Sequence, residues 1–274
     1  MHHGKFKCSK GYIYLEEIKL INDLHIHSKY SCDSEATMEA YCKRAIEKNM
    51  KHICFTDHVD FNKNDYGYGY YHADKFFEEY NRLQEKYGDK IHLLSGIEFS
   101  EPHLYRDELE KLAKYPYDFI IGSIHWIENM FPCEKTRKTY PAYKFYELYW
   151  QEVLKAVEFG GFDCLEHIDF PKRYYGELVY DEIIMNEIFN QMKKNNIVME
   201  INTSSLRKGL PTSLPDADLL KLYKNNGGIN VTIGSDAHII SDLGADNDYA
   251  KDLITQNMLS EVIFRQHKLF QVVE

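Results

Sequence analysis

Seven short runs rich in β-branched, aromatic or other apolar residues recur along the chain, at residues 21–25, 52–56, 92–98, 119–124, 164–167, 197–201 and 230–234. Each is separated from the next by enough chain to form a helix. Runs of that length suit strands, and their alternation with longer helical segments indicates an α/β fold of βα units around a mainly parallel sheet. Residues 37–49 read as a helix capped by Thr37, and residues 74–87 as another capped by Asp74. Residues 143–159 stop at Gly160-Gly161, residues 181–195 follow a turn, and residues 216–225 stop before Gly227-Gly228. Glycine just past a helix accepts the left-handed conformation that closes it. Residues 1–20 read as an N-terminal extension and residues 21–274 as a single domain, in which residues 252–274 are mixed helical and apolar and pack over the sheet.

The chain of 274 residues carries a formal charge of −10, which disfavours nonspecific contact with nucleic acid or an anionic membrane. A site that handles phosphate therefore has to supply its own positive charge. No apolar run has the length of a membrane span, and residues 1–10 lack the apolar centre of a signal peptide, so a cytoplasmic location is expected. The six cysteines form no CxxC pair and read as reduced thiols, with Cys54, Cys133 and Cys164 close to the segments discussed next. With 22 Tyr and 15 Phe the apolar residues are weighted toward aromatics, which suits a deep cleft.

The distribution of imidazole and carboxylate groups narrows the chemistry. They fall at strand ends: Asp23-Leu24-His25-Ile26-His27-Ser28, Thr56-Asp57-His58, Gly96-Ile97-Glu98, Gly122-Ser123-Ile124-His125, Glu166-His167-Ile168-Asp169 and Gly234-Ser235-Asp236-Ala237-His238. In a parallel barrel the carboxyl ends of all strands open on one face. His25 and His27, two apart, point to the same side of a strand end, and Asp236 and His238 repeat that spacing. Mixed imidazole and carboxylate ligands suit zinc, manganese or iron. Taken singly, each residue has a plain alternative: a hydrogen-bonded histidine, Asp57 as a helix cap, Glu98 paired with a lysine. Six strand ends with the same chemistry argue for a cation, because so many buried polar groups need partners. His52 and His92 begin their strands, on the opposite face, and His72, His103 and His267 lie outside the pattern. Residues 66–71 form an aromatic loop, either over the site or packed on itself.

The ordered set of HxH followed by Ser31 and Asp33, then TDH, GIE, GSIH, EHID and GSDAH, resembles the polymerase and histidinol phosphatase (PHP) family of phosphoesterases, and within it the histidinol-phosphate phosphatases. The resemblance spans residues 24–238. It implies a distorted (β/α)7 barrel with a metal site at the C-terminal ends of the strands, holding three divalent ions (zinc, manganese or iron). One ion takes His25, His27, Glu98 and Asp236; a second shares Glu98 and takes His125 and His167; a third takes Asp33, His58 and His238. Three divalent cations outweigh three carboxylates, so an acidic protein gains a positive pocket, where a bridging water can ionise near neutral pH and attack phosphorus in line. Arg173 and Arg207 resemble the arginines that contact phosphate in such enzymes, where a guanidinium fork holds two oxygens at once. Ser235 is a further candidate donor, and Asp57 is either the acid for the leaving alcohol or a support for a ligand. The implied activity is hydrolysis of L-histidinol phosphate in histidine biosynthesis. The alternatives are a PHP phosphoesterase acting on a nucleotide, sugar phosphate or phosphodiester, an amidohydrolase-like C–N hydrolase, and a noncatalytic module.

Overall fold

A computed structural model describes residues 6–8, 11–13 and 21–272. Within the expected N-terminal extension, β1 (Phe6–Cys8) and β2 (Gly11–Ile13) pair antiparallel; its other residues lie outside the described ones. The main sheet then follows in chain order: β3 (Asn22–Ile26), β4 (His52–Val59), β5 (His92–Ser100), β6 (Phe119–Ser123), β7 (Cys164–Leu165), β8 (Val198–Asn202) and β9 (Asn230–Gly234), each parallel to its neighbour. The sheet closes on itself where His27 N–H donates to Ala237 O (2.8 Å) and Asp236 N–H to His25 O (2.8 Å). All seven expected strands are present, and they form the expected seven-stranded barrel.

Closure at the other end is looser, because β10 (Ser260–Arg265) pairs with the start of β9 and turns back through β11 (Lys268–Gln271). Residues 252–274, expected to be mixed helical and apolar, are helical only as far as Gln256 and then form this hairpin. Helix α10 (Asn247–Gln256) ends first, and Val262, Ile263 and Phe264 then bury themselves in a cluster made of strand side chains, including Leu24, Cys54, Leu94, Phe119 and Cys164. The hairpin thus plugs the bottom of the barrel, with Phe264 stacked on Phe119 at 5.1 Å. Its turn is tied down where Gln266 N–H donates to Asp118 Oδ1 (3.1 Å) and His267 Nδ1 contacts Asp163 Oδ2 (2.9 Å).

A second, larger apolar cluster lies between the sheet and the helices, and most of the aromatic residues are there. The helices obey their local signals. Thr37 caps α1 (Met38–Glu47), accepting from Ala40 N–H, while Asp181 and Asp216 do the same for α7 (Glu182–Lys194) and α9 (Ala217–Asn225). Helix α5 (Ala142–Phe159) stops at Gly160, φ 70°. Helix α2 (Ala73–Tyr87) departs from expectation: His72 occupies the cap, and Asp74 lies in the first turn, accepting from the Tyr115 hydroxyl at 2.7 Å. Helices α3 (Arg106–Leu112), α4 (Glu134–Thr139), α6 (Lys172–Tyr175) and α8 (Ser204–Arg207) are too short to carry a periodic signature. No helix among the described residues is long and apolar enough to cross a membrane. Cys32, Cys42, Cys54, Cys133 and Cys164 are free thiols; Cys54 and Cys164 pack in the inner cluster, away from the ligand groups.

Candidate metal centre

The nine residues expected as ligands converge at the carboxyl ends of the barrel strands. A slip in register between Asp23 and Ile26 of β3 lets Leu24 and His25 both face inward. Strict alternation would send Leu24 and His25 to opposite faces, yet Leu24 joins the inner cluster while His25 and His27 both reach the site, as a local bulge allows. Their Nε2 atoms lie 2.9 Å apart, at 3.3 and 3.4 Å from Glu98 Oε2, with Asp236 Oδ1 at 3.3 Å from His27 Nε2. Glu98 turns its other oxygen toward His125 Nε2 (3.2 Å), which is 3.4 Å from His167 Nε2. Asp33 Oδ2 lies 3.5 Å from His58 Nε2 and 3.0 Å from His238 Nε2, while His58 Nδ1 faces Glu98 Oε2 at 2.9 Å. Asp236 adopts a left-handed backbone (φ 53°), which aspartate tolerates better than most residues, and its N–H bond to His25 O holds it there.

Hydrogen-bond partners set the direction of the lone pairs. His25 Nδ1 donates to Glu200 Oε1 (2.7 Å), so its Nε2 is free to act as a ligand. Ser31 Oγ donates to Asp57 Oδ1 (3.0 Å) and accepts from His58 N–H (2.9 Å); its remaining lone pair takes His27 Nδ1–H (3.0 Å), so His27 Nε2 is also unprotonated. Ser100 Oγ, donating to Asp60 Oδ1 (2.6 Å), orients His125 in the same way at 3.2 Å. These three imidazoles thus each have an outer partner that fixes the tautomer, the arrangement usual around metal-bound imidazole. Burial is the main cause that brings the pKa of His125 down to about 4, keeping it neutral. At Asp33 burial acts upward, but hydrogen bonds from His238 and His58 prevail and hold the carboxyl well below its usual range.

The test of a cation is whether the polar groups are satisfied without one, and they are not. Glu98 Oε1, both Glu166 oxygens, His58 Nδ1 and His167 Nδ1 are buried with no hydrogen-bond partner. Unpaired carboxylates are costly to bury, and two imidazole lone pairs at 2.9 Å repel unless positive charge stands between them. The donor set fits divalent metal ions.

Beside these groups opens a cleft of about 190 Å³, lined by Arg173, Lys208, Asp236 and His238 together with Cys32, Asp33, Asp60, Asp65 and Tyr66. Phe131, Phe170 and Tyr174 form an aromatic wall. The expected aromatic loop does border the site through Tyr66, whose hydroxyl donates to Asp33 Oδ2 at 3.3 Å.

Arg173 reaches the cleft, its Nη2 donating to Ser204 Oγ (2.8 Å) and Asp236 Oδ2 (3.3 Å). Arg207 does not line it. Its guanidinium is taken by Asp242 (3.1 Å), Asp246 (3.3 Å) and the Ser235 carbonyl, acceptors supplied by the chain after β9. Ser235 is likewise turned away, its hydroxyl and N–H both donating to the buried Asp23. Asp57 sits behind the HxH segment, accepting from Ser28 N–H (2.6 Å), Ser28 Oγ and Ser31 Oγ, and does not border the cleft. Burial pushes its pKa up to about 6 against those hydrogen bonds, and its contacts are those of a support for His27.

Lys208, Glu200 and Glu101 are among the residues that escaped the sequence reading. Lys208, next to Arg207, provides the second cation of the cleft, a choice between neighbours that no spacing rule makes. Glu200 left a usable signal, a lone carboxylate inside the apolar strand Val198–Asn202. Glu101 accepts from His125 N–H (2.8 Å) and Trp126 N–H (2.9 Å) and so fixes the loop that carries His125.

Sequence comparisons agree with this geometry. The PHP domain profile matches residues 23–204. A probable histidinol-phosphatase of Clostridium acetobutylicum is 30% identical over 258 residues, covering 90% of this chain and 98% of that protein. The histidinol-phosphatase of Lactococcus lactis subsp. lactis is 30% identical over 79% of this chain and 84% of its own. A crystal structure of histidinol phosphate phosphatase from Lactococcus lactis, complexed with zinc, L-histidinol and phosphate, superposes with a TM-score of 0.80 at 26% identity, covering 91% of this chain and 98% of that one. The order of ligand motifs, the closed seven-stranded barrel and these matches together make the chain a member of the PHP domain family.

Proposed function

We infer that the protein is a metal-dependent phosphomonoesterase that hydrolyses L-histidinol phosphate to L-histidinol and phosphate. The observation that carries this reading is the convergence of lone-pair donors and unpaired buried carboxylates beside a cleft holding Arg173 and Lys208. The substrate assignment draws on the relatives of the same length and on the zinc, L-histidinol and phosphate bound in the Lactococcus structure.

In this reading three ions, of zinc, manganese or iron, are held respectively by His25, His27, Glu98 and Asp236; by Glu98, His125 and His167; and by Asp33, His58 and His238. Such ions lower the pKa of water and polarise phosphoryl oxygens when bound. The protein's own contribution is to place and orient the substrate. Arg173, braced by Ser204 and Asp236, presents guanidinium N–H groups to phosphoryl oxygens, and Lys208 adds a second positive charge. The wall of Phe131, Phe170 and Tyr174 receives the imidazole-bearing alcohol and limits water around it. Asp57 and Asp60, through Ser31 and Ser100, keep His27 and His125 in the ligand tautomer. A cytoplasmic location belongs to the same proposal and suits the free cysteines.

Turnover over a panel of phosphate esters tests the assignment. kcat/KM for L-histidinol phosphate is expected to exceed that for p-nitrophenyl phosphate, nucleotides and sugar phosphates, with elemental analysis of the same preparation finding divalent metal; activity below that on p-nitrophenyl phosphate removes histidinol phosphate as substrate. The cleft's cations give a second test. Arg173→Ala and Lys208→Ala are each expected to raise KM about tenfold or more, as loss of a charged hydrogen bond worth about 1.5–3 kcal/mol requires. Arg207→Ala, whose guanidinium faces Asp242 and Asp246, should leave KM within about threefold of the parent, a difference below about 1 kcal/mol. The reverse order, read from initial rates, would show that Arg207 rather than Lys208 meets the phosphate.

A further inference from the structure

Glu166 precedes His167 immediately, and in a strand two adjacent side chains would point to opposite faces. Strand β7 ends at Leu165, however, and the chain turns through the following residues, which lets both side chains face inward. Glu166 Oε1 lies 2.5 Å from His167 Nε2 and 3.6 Å from His125 Nε2, and His125 Nε2 is 3.2 Å from Glu98 Oε1. The four donor atoms all fall within 4.8 Å of one another. Four donors at about 2.0–2.2 Å from a common cation stand roughly 3.3–3.6 Å apart; the contacts at 3.2, 3.4 and 3.6 Å are close to that spacing, and the one between Glu166 and His167 is shorter.

The surroundings of Glu166 leave it little else to do. It is 1% exposed, and neither oxygen has a hydrogen-bond partner. Its Oε2 is 3.2 Å from His25 Nδ1, but that N–H is directed at Glu200, 2.7 Å away. We propose that Glu166 is a metal donor, completing with Glu98, His125 and His167 a four-donor position on the floor of the cleft. The inference rests on the metal-dependent reading above and adds a fourth carboxylate to it. A set of four protein donors is typical of tightly retained ions, so this position should be among the slowest to release its metal.

The alternative is a neutral Glu166 sharing a proton with Glu98, and Glu166→Gln separates the two. Glutamine nearly matches a protonated glutamic acid in shape and hydrogen bonding but is a poor ligand for a divalent cation. Zinc-loaded full-length parent and variant would be assayed by elemental analysis before and after timed exposure to EDTA. The variant is expected to lack one ion equivalent, or to release one more than tenfold faster; equal stoichiometry with release within tenfold overturns the proposal. If the variant does not fold, infrared difference spectra of the unmodified protein decide: zinc loading should remove a protonated-carboxyl C=O band, and an unchanged band overturns the assignment. A parent protein that binds no zinc would instead refute the metal-dependent reading itself.

Discussion

Replacing Glu98 by Gln is expected to lower kcat/KM by at least about a thousandfold, or about 4 kcal/mol of transition-state stabilisation. Glu98 faces a histidine from each of the three proposed ion positions: Oε2 lies within 3.4 Å of His25, His27 and His58, and Oε1 is 3.2 Å from His125. Glutamine fills the same space but removes the negative charge and turns an N–H₂ group toward one set of lone pairs. Since loss of an outer partner alone typically weakens a metal site about 10–100-fold, loss of a ligand common to two ions should cost more. Initial rates with metal content measured on the same sample check this, and activity within tenfold of the parent would remove Glu98 from its bridging position.

The largest expected effect on stability comes from a residue with no side chain. Gly234 ends β9 facing the barrel interior, and a Cβ there would lie 2.1 Å from Glu200 Oε1 and 2.5 Å from His25 Cβ. Both neighbours are fully buried, and Glu200 is further held by Asn202 Nδ2 (3.1 Å) and His167 N–H (3.3 Å), so neither can move aside without breaking its own contacts. Gly234→Ala should therefore cost about 3 kcal/mol, at the upper end for overpacking. The measurement is the urea midpoint and slope in the presence of chelator, where bound metal contributes nothing to either protein. A loss below about 0.5 kcal/mol, the range of an ordinary surface change, would mean that the space around Glu200 is looser than the structure has it.

Much of the barrel could be read without coordinates. The seven strand runs were visible because buried parallel strands are short and apolar, and the cap at Thr37 because a side-chain oxygen there satisfies a helix N–H. The hairpin of β10 and β11 was hidden. Residues 260–271 carry Val262, Ile263 and Phe264 consecutively, and such a run looks alike in a buried helix and a buried strand. Asp74 was misjudged as a cap because a first-turn aspartate and a capping aspartate have nearly the same sequence context; here the Tyr115 hydroxyl claims its oxygen.

Which groups meet was legible in the order of the strand ends. In a closed parallel barrel every strand ends on the same face, so His25, His58, Glu98, His125, His167 and Asp236 needed only their places at strand ends to be brought together. Tertiary structure alone decided how each side chain is used. Arg207 is occupied by Asp242 and Asp246 while Lys208 faces the cleft, Ser235 and Asp57 brace other residues, and Glu166 and Glu200 enter the site. These outcomes turn on competition among donors and acceptors brought in by loops dozens of residues apart, together with a register slip in β3, and neither leaves a local pattern to read.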